Sequence, residues 1–83
     1  TYTTLQGMAE TEVKKYLNYP SSARFGLLDW GIGRSDDNYK IIGRVTAKNA
    51  FGVEDEIPFS VWFKKTDNGF IVEGVALDGQ RVR

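Results

Sequence analysis

The sequence predicts an α+β domain in which one N-terminal helix packs on a four-stranded antiparallel meander sheet. Apolar residues recur every three or four positions near the start, alternate with polar residues from Phe25 onwards, and are interrupted there by turn-forming segments. The 83 residues suffice for one hydrophobic core, so a single domain spanning residues 1–83 is expected.

The helix is predicted to run from about Thr4 to Asn18. Thr3 with Gln6 three residues later resembles a capping box, and Pro20 disfavours helical geometry at the residue before it. One face carries the apolar residues at helical spacing: Leu5, Met8, Ala9, Val13, Tyr16 and Leu17. The charged residues that are expected to face solvent are Glu10, Glu12, Lys14 and Lys15.

Four strands are expected after the helix, because the alternating segments are rich in β-branched and aromatic residues. They are predicted at about Phe25 to Arg34, Tyr39 to Asn49, Asp55 to Lys65 and Phe70 to Leu77. The connections between them are short, so consecutive strands must pair antiparallel.

The register of the strands is constrained because a slip by one residue would move every side chain to the opposite face. The first hairpin is expected to pair Ile32 with Ile41, Leu28 with Val45, Trp30 with Gly43 and, on the outer face, Asp29 with Arg44. The second is expected to pair Ile41 with Phe63, Gly43 with Val61, Val45 with Phe59, Ala47 with Ile57 and Lys48 with Glu56.

The third hairpin completes an apolar inner face that the helix is expected to cover. There, Val72, Gly74 and Ala76 are predicted to share the inner face with Val61 and Phe63. Gly43 either makes room for its bulky neighbours or marks a β-bulge, and the sequence leaves both interpretations open.

Composition narrows the possible functions. Cysteine and histidine are absent, which removes disulfides, thiolate nucleophiles, imidazole-ligated metals and histidine-based catalytic arrangements. Eleven basic residues balance eleven acidic ones, so no net charge attracts nucleic acid or anionic lipid. We therefore expect no enzyme activity, cofactor or metal, and we consider nucleic acid the less favoured partner.

Two local patterns invite a more specific interpretation, and we reject both. Gly31-Ile32-Gly33 lacks the third glycine of a dinucleotide-binding loop, and no parallel strand follows it. The acids at Asp36-Asp37 and Glu54-Asp55-Glu56 match no calcium-loop spacing and are interpreted as solvated turn residues.

The outer face of the sheet is the predicted binding surface. The register that fills the core also places a tryptophan and several apolar and basic side chains on the opposite side, which is the composition of an interface. The predicted surface residues are Ile42, Arg44, Trp62, Lys64, Val75 and Leu77, flanked by Leu27, Lys40, Lys48 and Ile71. The same pattern is compatible with cover by the tail Gln80 to Arg83 or by another domain.

Two motifs resemble a known family. The turn Pro20-Ser21-Ser22-Ala23-Arg24-Phe25 follows a Val-Lys-Lys-Tyr-Leu helix end, and a hairpin of the form Gly-x-Val-x-Ala-x-Asn-x-Phe-Gly spans 43–52. This arrangement resembles small domains of uncharacterised bacterial lipoproteins, zinc-ribbon membrane proteins and mobile-element proteins, often Gram-positive. The resemblance implies a helix-on-sheet fold, an upstream export or anchoring segment, and structural roles for Ser21 or Ser22 and for Asn49 with Gly52.

These observations together favour a non-catalytic protein-interaction or accessory domain of a bacterial envelope or mobile-element protein. Since the chain begins at Thr1 rather than Met, we expect an excised or mature part of a longer exported or anchored protein. An envelope or extracellular location is expected, with the cytoplasm as alternative, and membrane association only through an anchor elsewhere. The expected partner is an unidentified protein or a second copy; the alternative function is nucleic-acid binding through the basic and aromatic face.

Overall fold

One helix lies on the inner face of a six-stranded antiparallel sheet in the computed structural model, which describes residues 2–26 and 30–83. The predicted helix-on-sheet α+β class is confirmed, but the predicted number of strands is too low. The elements in chain order are helix α1 (Tyr2–Lys14), a 3₁₀ turn (Pro20–Ser22), β1 (Arg24–Phe25), β2 (Gly31–Ser35), β3 (Asn38–Lys48), β4 (Glu54–Thr66), β5 (Gly69–Leu77) and β6 (Gln80–Arg81).

Helix α1 begins and ends earlier than predicted. Thr3 lies inside its first turn, so it is not the residue that precedes the helix. After Lys14 the chain continues as a tighter, 3₁₀-like turn, because the amides of Lys15, Tyr16 and Leu17 each donate to the carbonyl three residues back. Leu5, Ala9 and Val13 are fully buried and Met8 and Leu17 pack against them, as predicted, whereas Tyr16 is exposed.

Glu12 was predicted to face solvent, and this prediction is wrong. The residue is only 9% exposed, and its carboxylate accepts hydrogen bonds from Lys15 Nζ at 2.8 Å and from Arg83 Nη1 at 3.1 Å. The amide of Arg83 also donates to the carbonyl of Val75 on β5. Glu12 therefore ties the helix to the end of the chain, and its buried carboxylate is satisfied there.

The predicted first strand is two short strands, β1 and β2, which both pair with β3. The pairing of Ile32 with Ile41 is confirmed, but Val45 lies opposite Phe25 in β1 and not opposite the predicted partner. Trp30 precedes β2, where its indole N–H donates to the carbonyl of Gly26. The predicted positions of Leu27 and Leu28, and the predicted ion pair from Asp29 to Arg44, lie outside the described residues.

The second hairpin is paired two residues away from the predicted register. Ile41 lies opposite Val61, Gly43 opposite Phe59, Val45 opposite Ile57, Ala47 opposite Asp55 and Lys48 opposite Glu54. A shift of two residues keeps every side chain on its predicted face, because the side-chain repeat of a strand is two. The predicted core of β3 and β4 is therefore confirmed even though its pairs are not.

Asn49 sets this register by closing a short loop. Its amide donates to the carbonyl of Val53 at 2.8 Å, and its side-chain Oδ1 accepts from the amides of Phe51 and Val53. Its Nδ2 donates to Asp55 Oδ2 at 3.0 Å, and Gly52 takes a φ of +78° that favours glycine. The loop closes on residues 49–53, which brings Lys48 opposite Glu54.

A β-bulge separates the two halves of β5. Phe63 lies opposite Val72, but Trp62 lies opposite Gly74, so Glu73 is an extra residue on β5. From Gly74 onwards the faces are inverted relative to the prediction. Val75 is fully buried in the core, and Leu77 packs against that core. Gly74 and Ala76, predicted inside, lie opposite the outward-facing Trp62 and Ser60.

Three aromatic side chains pack together at the end of the core next to β1. The ring of Phe59 makes edge-on contacts with Phe25 and Trp30, at centroid distances of 5.8 and 5.5 Å. Gly43 lies directly beneath this ring, and a Cβ atom there would be 2.8 Å from Phe59 Cζ. Gly43 therefore makes room for Phe59, and β3 pairs with β4 through this position without a shift in register.

Removal of the Asn49 side chain is expected to loosen the β3–β4 loop. The substitution Asn49→Ala removes three side-chain hydrogen bonds, two of them to amides of the loop, and a typical net cost is about 1 kcal/mol for the group. Urea unfolding should show this loss. Asn68→Ala, in the β4–β5 turn, is the matched control and should change the free energy of unfolding by less than about 0.5 kcal/mol. Equal effects of both substitutions would contradict this role for Asn49.

Candidate functional site: the outer face of the sheet

Trp62 lies on the face of the sheet that points away from the helix, as predicted. It alternates with the buried Val61 and Phe63 along β4, and it is partly exposed. Ile42 on β3 and Ile71 on β5 share this face and are 45% and 51% exposed. The fold therefore leaves an indole and two branched aliphatic side chains outside the core.

Two cations lie against the Trp62 ring. Lys40 is the residue directly opposite Trp62 on β3, and its Nζ is 5.2 Å from the ring centroid. Arg81 on β6 reaches the ring from the β5 side, with its Cζ 4.7 Å from the centroid. Both distances are within the range in which a cation is attracted to the face of an indole.

Gly74 makes room for Arg81. It lies opposite Trp62 on β5, and the guanidinium group of Arg81 occupies the space where a Cβ atom of residue 74 would be. Arg81 Nη2 also faces the carbonyl oxygen of Glu73 at 3.4 Å, and its Nε donates to the carbonyl of Arg83 at 2.7 Å. Strand β6 thus positions one guanidinium group against the tryptophan.

The outer face has two electrostatically different ends. At the end next to the β3–β4 loop, Arg24 Nη2 lies 3.1 Å from Glu54 Oε2 and Arg44 Nη1 lies 2.7 Å from Glu56 Oε1. At the other end are the cations of Lys40, Lys64 and Arg81. Among the residues that the structure describes, none of these three has an Asp or Glu carboxylate within ion-pair distance.

We call the second end the Trp62 surface and define it as Lys40, Ile42, Trp62, Lys64, Ile71 and Arg81. A shallow depression of about 210 Å³ borders it between Gly33, Lys40 and Trp62. Gly33 lies opposite Lys40 in β2 and has nothing within 4 Å of its Cβ position. The absence of a side chain there leaves the depression open beside the lysine.

Four of the six predicted surface residues lie on the outer face. Ile42, Trp62 and Lys64 belong to the Trp62 surface, and Arg44 lies at the ion-paired end. Val75 and Leu77 are on the inner side, because the bulge at Glu73 inverts that part of β5. The tail reaches this face at Arg81, which contacts Trp62, while Ile42 stays exposed.

Strand β6 and the placement of Arg81 were missed by the sequence analysis. Their signal was the turn Asp78-Gly79 directly after β5, in which Asp78 has a φ of +52° and Gly79 a φ of +78°. Such left-handed pairs connect β-hairpins with two-residue turns. The four-residue tail after it was too short to suggest a strand by alternation.

The described parts of the chain hold no group of three or more carboxylates that could bind a metal ion. Glu54, Asp55 and Glu56 contact Arg24, Asn49 and Arg44 respectively. None of the helices described is both long and apolar enough to cross a membrane. The Trp62 surface supplies apolar contact area and positive charge, which are means of binding. No family model, curated protein or solved structure matches this chain.

Proposed function

We propose that this chain is a non-catalytic protein-interaction domain and that it binds its partner through the Trp62 surface. The observation that carries the proposal is the position of Trp62, which lies outside the core between Lys40 and Arg81. Tryptophan and arginine are the residue types that most often supply the binding energy of protein interfaces. By the resemblance of its Pro20–Phe25 turn and its 43–52 hairpin, we assign the domain to a bacterial envelope or mobile-element protein.

The apolar residues of the Trp62 surface are not part of the hydrophobic core. The inner face is filled by the helix and by residues of β3, β4 and β5, which are fully buried. Ile42 and Ile71 remain about half exposed on the opposite side, on the two strands that flank Trp62. An apolar cluster with a charged rim on a small domain is the usual composition of a docking site.

Nucleic-acid binding is the second candidate, because three cations lie on one end of this face without Asp or Glu partners among the described residues. Single-stranded nucleic acids are bound by positive surfaces that carry aromatic rings for base stacking. Here, however, Lys40 and Arg81 already lie against the Trp62 ring. A base would have to displace one of them, so the arrangement favours a protein partner.

Substitution of Trp62 by Ala is expected to abolish partner binding while the fold is retained. The immobilised domain should capture a specific protein from a bacterial envelope extract, and Trp62→Ala should lose it because a central aromatic anchor commonly contributes about 2 kcal/mol or more. Circular dichroism and a dispersed amide spectrum would show that the variant is folded.

Phe51→Ala is the control for this experiment. Phe51 is 90% exposed in the β3–β4 loop, so its removal deletes an exposed aromatic ring elsewhere on the molecule. This variant should capture the partner as the unaltered domain does. Equal capture by Trp62→Ala would contradict the proposal. A mobility shift of DNA or RNA at ~50 mM salt, where phosphate contacts are strongest, would favour the second candidate instead.

A further inference from the structure

We propose that the Trp62 surface binds an acidic, extended peptide segment of its partner, with carboxylates at alternating positions. This inference rests on the proposed function and specifies the chemistry of the partner. It is carried by the separation of charge along the outer face, by the position of the cations against the indole, and by the exposed aliphatic groups beside them.

The charge of the outer face indicates the charge of the partner. The whole chain is neutral, yet Lys40, Lys64 and Arg81 lie together at one end of this face. The acids of the other end, Glu54 and Glu56, are in contact with Arg24 and Arg44. A local positive patch on a neutral molecule attracts an anionic segment without giving the protein a general affinity for polyanions.

The cations of this patch are held in place before a ligand arrives. Contact with the indole restricts the side chains of Lys40 and Arg81, and Arg81 is also fixed by its bond to the carbonyl of Arg83. Long side chains that are already ordered lose less entropy when a carboxylate binds them. Arg81 Nε and Nη2 face backbone carbonyls, so Nη1 is the group of this guanidinium that faces no acceptor among the described residues and can bind a carboxylate.

The aliphatic residues favour a peptide over a nucleic acid as the source of the negative charge. Ile42 and Ile71 are exposed on the two strands that flank β4, one on each side of the line of cations. An extended peptide alternates its side chains between two sides, so it can direct acids at the cations while its other atoms cover the isoleucines. Phosphates would leave these apolar groups exposed.

The experiment uses the two indole N–H signals of the chain, one from each tryptophan, in an amide correlation spectrum. A short peptide with Glu at alternating positions is titrated into the domain, and the same peptide with Gln at those positions is titrated separately. We expect the Glu peptide to move the Trp62 signal, identified by its loss in Trp62→Ala, and the Gln peptide to leave it unchanged. Raising the salt from ~20 mM to ~200 mM should weaken this binding.

Lys40→Gln and Lys48→Gln form the matched pair of variants. Both lysines are exposed on the outer face of β3, but only Lys40 contacts Trp62, and Lys48 lies at the other end. Lys40→Gln should weaken binding of the Glu peptide about three- to fivefold, the usual effect of one exposed charge pair. Lys48→Gln should have no measurable effect.

Three results would overturn the inference. These are equal binding of the Glu and Gln peptides, failure of both peptides to bind, and equal weakening by the two lysine substitutions. If a single-stranded oligonucleotide moves the Trp62 signal at a lower concentration than the Glu peptide does, the cations bind phosphate groups in preference to carboxylates. If Trp62→Ala still abolishes capture of the protein partner while the Glu peptide does not bind, the proposed function stands and only the acidic chemistry is rejected.

Discussion

Phe63→Ala is expected to remove most of the stability of the domain. Phe63 has the largest fully buried side chain among the described residues, and on β4 it belongs to the same buried cluster as Leu5, Ala9 and Val13 of the helix. Truncation of such a residue costs about 3 to 5 kcal/mol, because the apolar contacts are lost and the cavity collapses only in part. A small domain has roughly 0.05 to 0.15 kcal/mol of stability per residue, so this loss is a large share of the total.

The measurement is urea unfolding followed by circular dichroism, in which Phe63→Ala should unfold at a much lower urea concentration than the unaltered chain. Phe51→Ala is again the control, because it makes the same substitution at a position that is 90% exposed. It should change the free energy of unfolding by less than about 0.5 kcal/mol. Similar effects of the two variants would mean that the core is not the one described.

The faces of β3 and β4 could be predicted from the sequence, whereas their pairing could not. Alternation determines which side chains share a face, and it placed Ile41, Val45, Phe59 and Phe63 correctly in the core. It does not distinguish registers that differ by two residues, because these have the same faces. The deciding contacts are the hydrogen bonds of Asn49, which select the loop length.

The bulge at Glu73 explains the two wrong residues of the predicted surface. One extra residue inverts the faces of the rest of β5, so alternation counted from Val72 puts Val75 on the wrong side. An isolated glycine within a strand is a signal for such an irregularity. The last predicted hairpin has such a glycine at Gly74, and the bulge of β5 lies beside it.

The contacts that Arg81 and Arg83 make could not be predicted from the sequence. Glu12 was assigned to the solvent side from its place in the helical repeat, but the tail brings Arg83 to it. Arg81 reaches the opposite side of the sheet and contacts Trp62. Both interactions depend on the path of four residues after a turn, and no hydrophobic pattern encodes that path.

Gly43→Ala is expected to destabilise the domain, although the same substitution in a strand is normally favourable. An alanine would reduce the conformational entropy of the unfolded chain. This effect usually stabilises the folded state by about 0.4 to 1 kcal/mol. Its Cβ, however, would lie 2.8 Å from Cζ and 3.2 Å from Cε2 of Phe59. That ring cannot move freely, because it is held by Phe25 and Trp30. Overpacking of this kind costs about 1 to 3 kcal/mol, so the unfavourable effect prevails.

Gly74→Ala separates this steric effect from the general effect of replacing a strand glycine. Its new Cβ would meet the guanidinium group of Arg81, which ends a long exposed side chain and can take another rotamer at the cost of its contacts with Trp62 and the Arg83 carbonyl. Gly74→Ala should therefore change the free energy of unfolding by less than about 1 kcal/mol. In thermal unfolding, Gly43→Ala should have a clearly lower Tm than Gly74→Ala.

The double variant Gly43→Ala with Phe59→Leu tests the proposed clash directly. Its loss of unfolding free energy should be about 1 kcal/mol smaller than the sum of the two single losses, because the smaller side chain relieves the clash. Strict additivity would show that Gly43 has a role other than making room for Phe59.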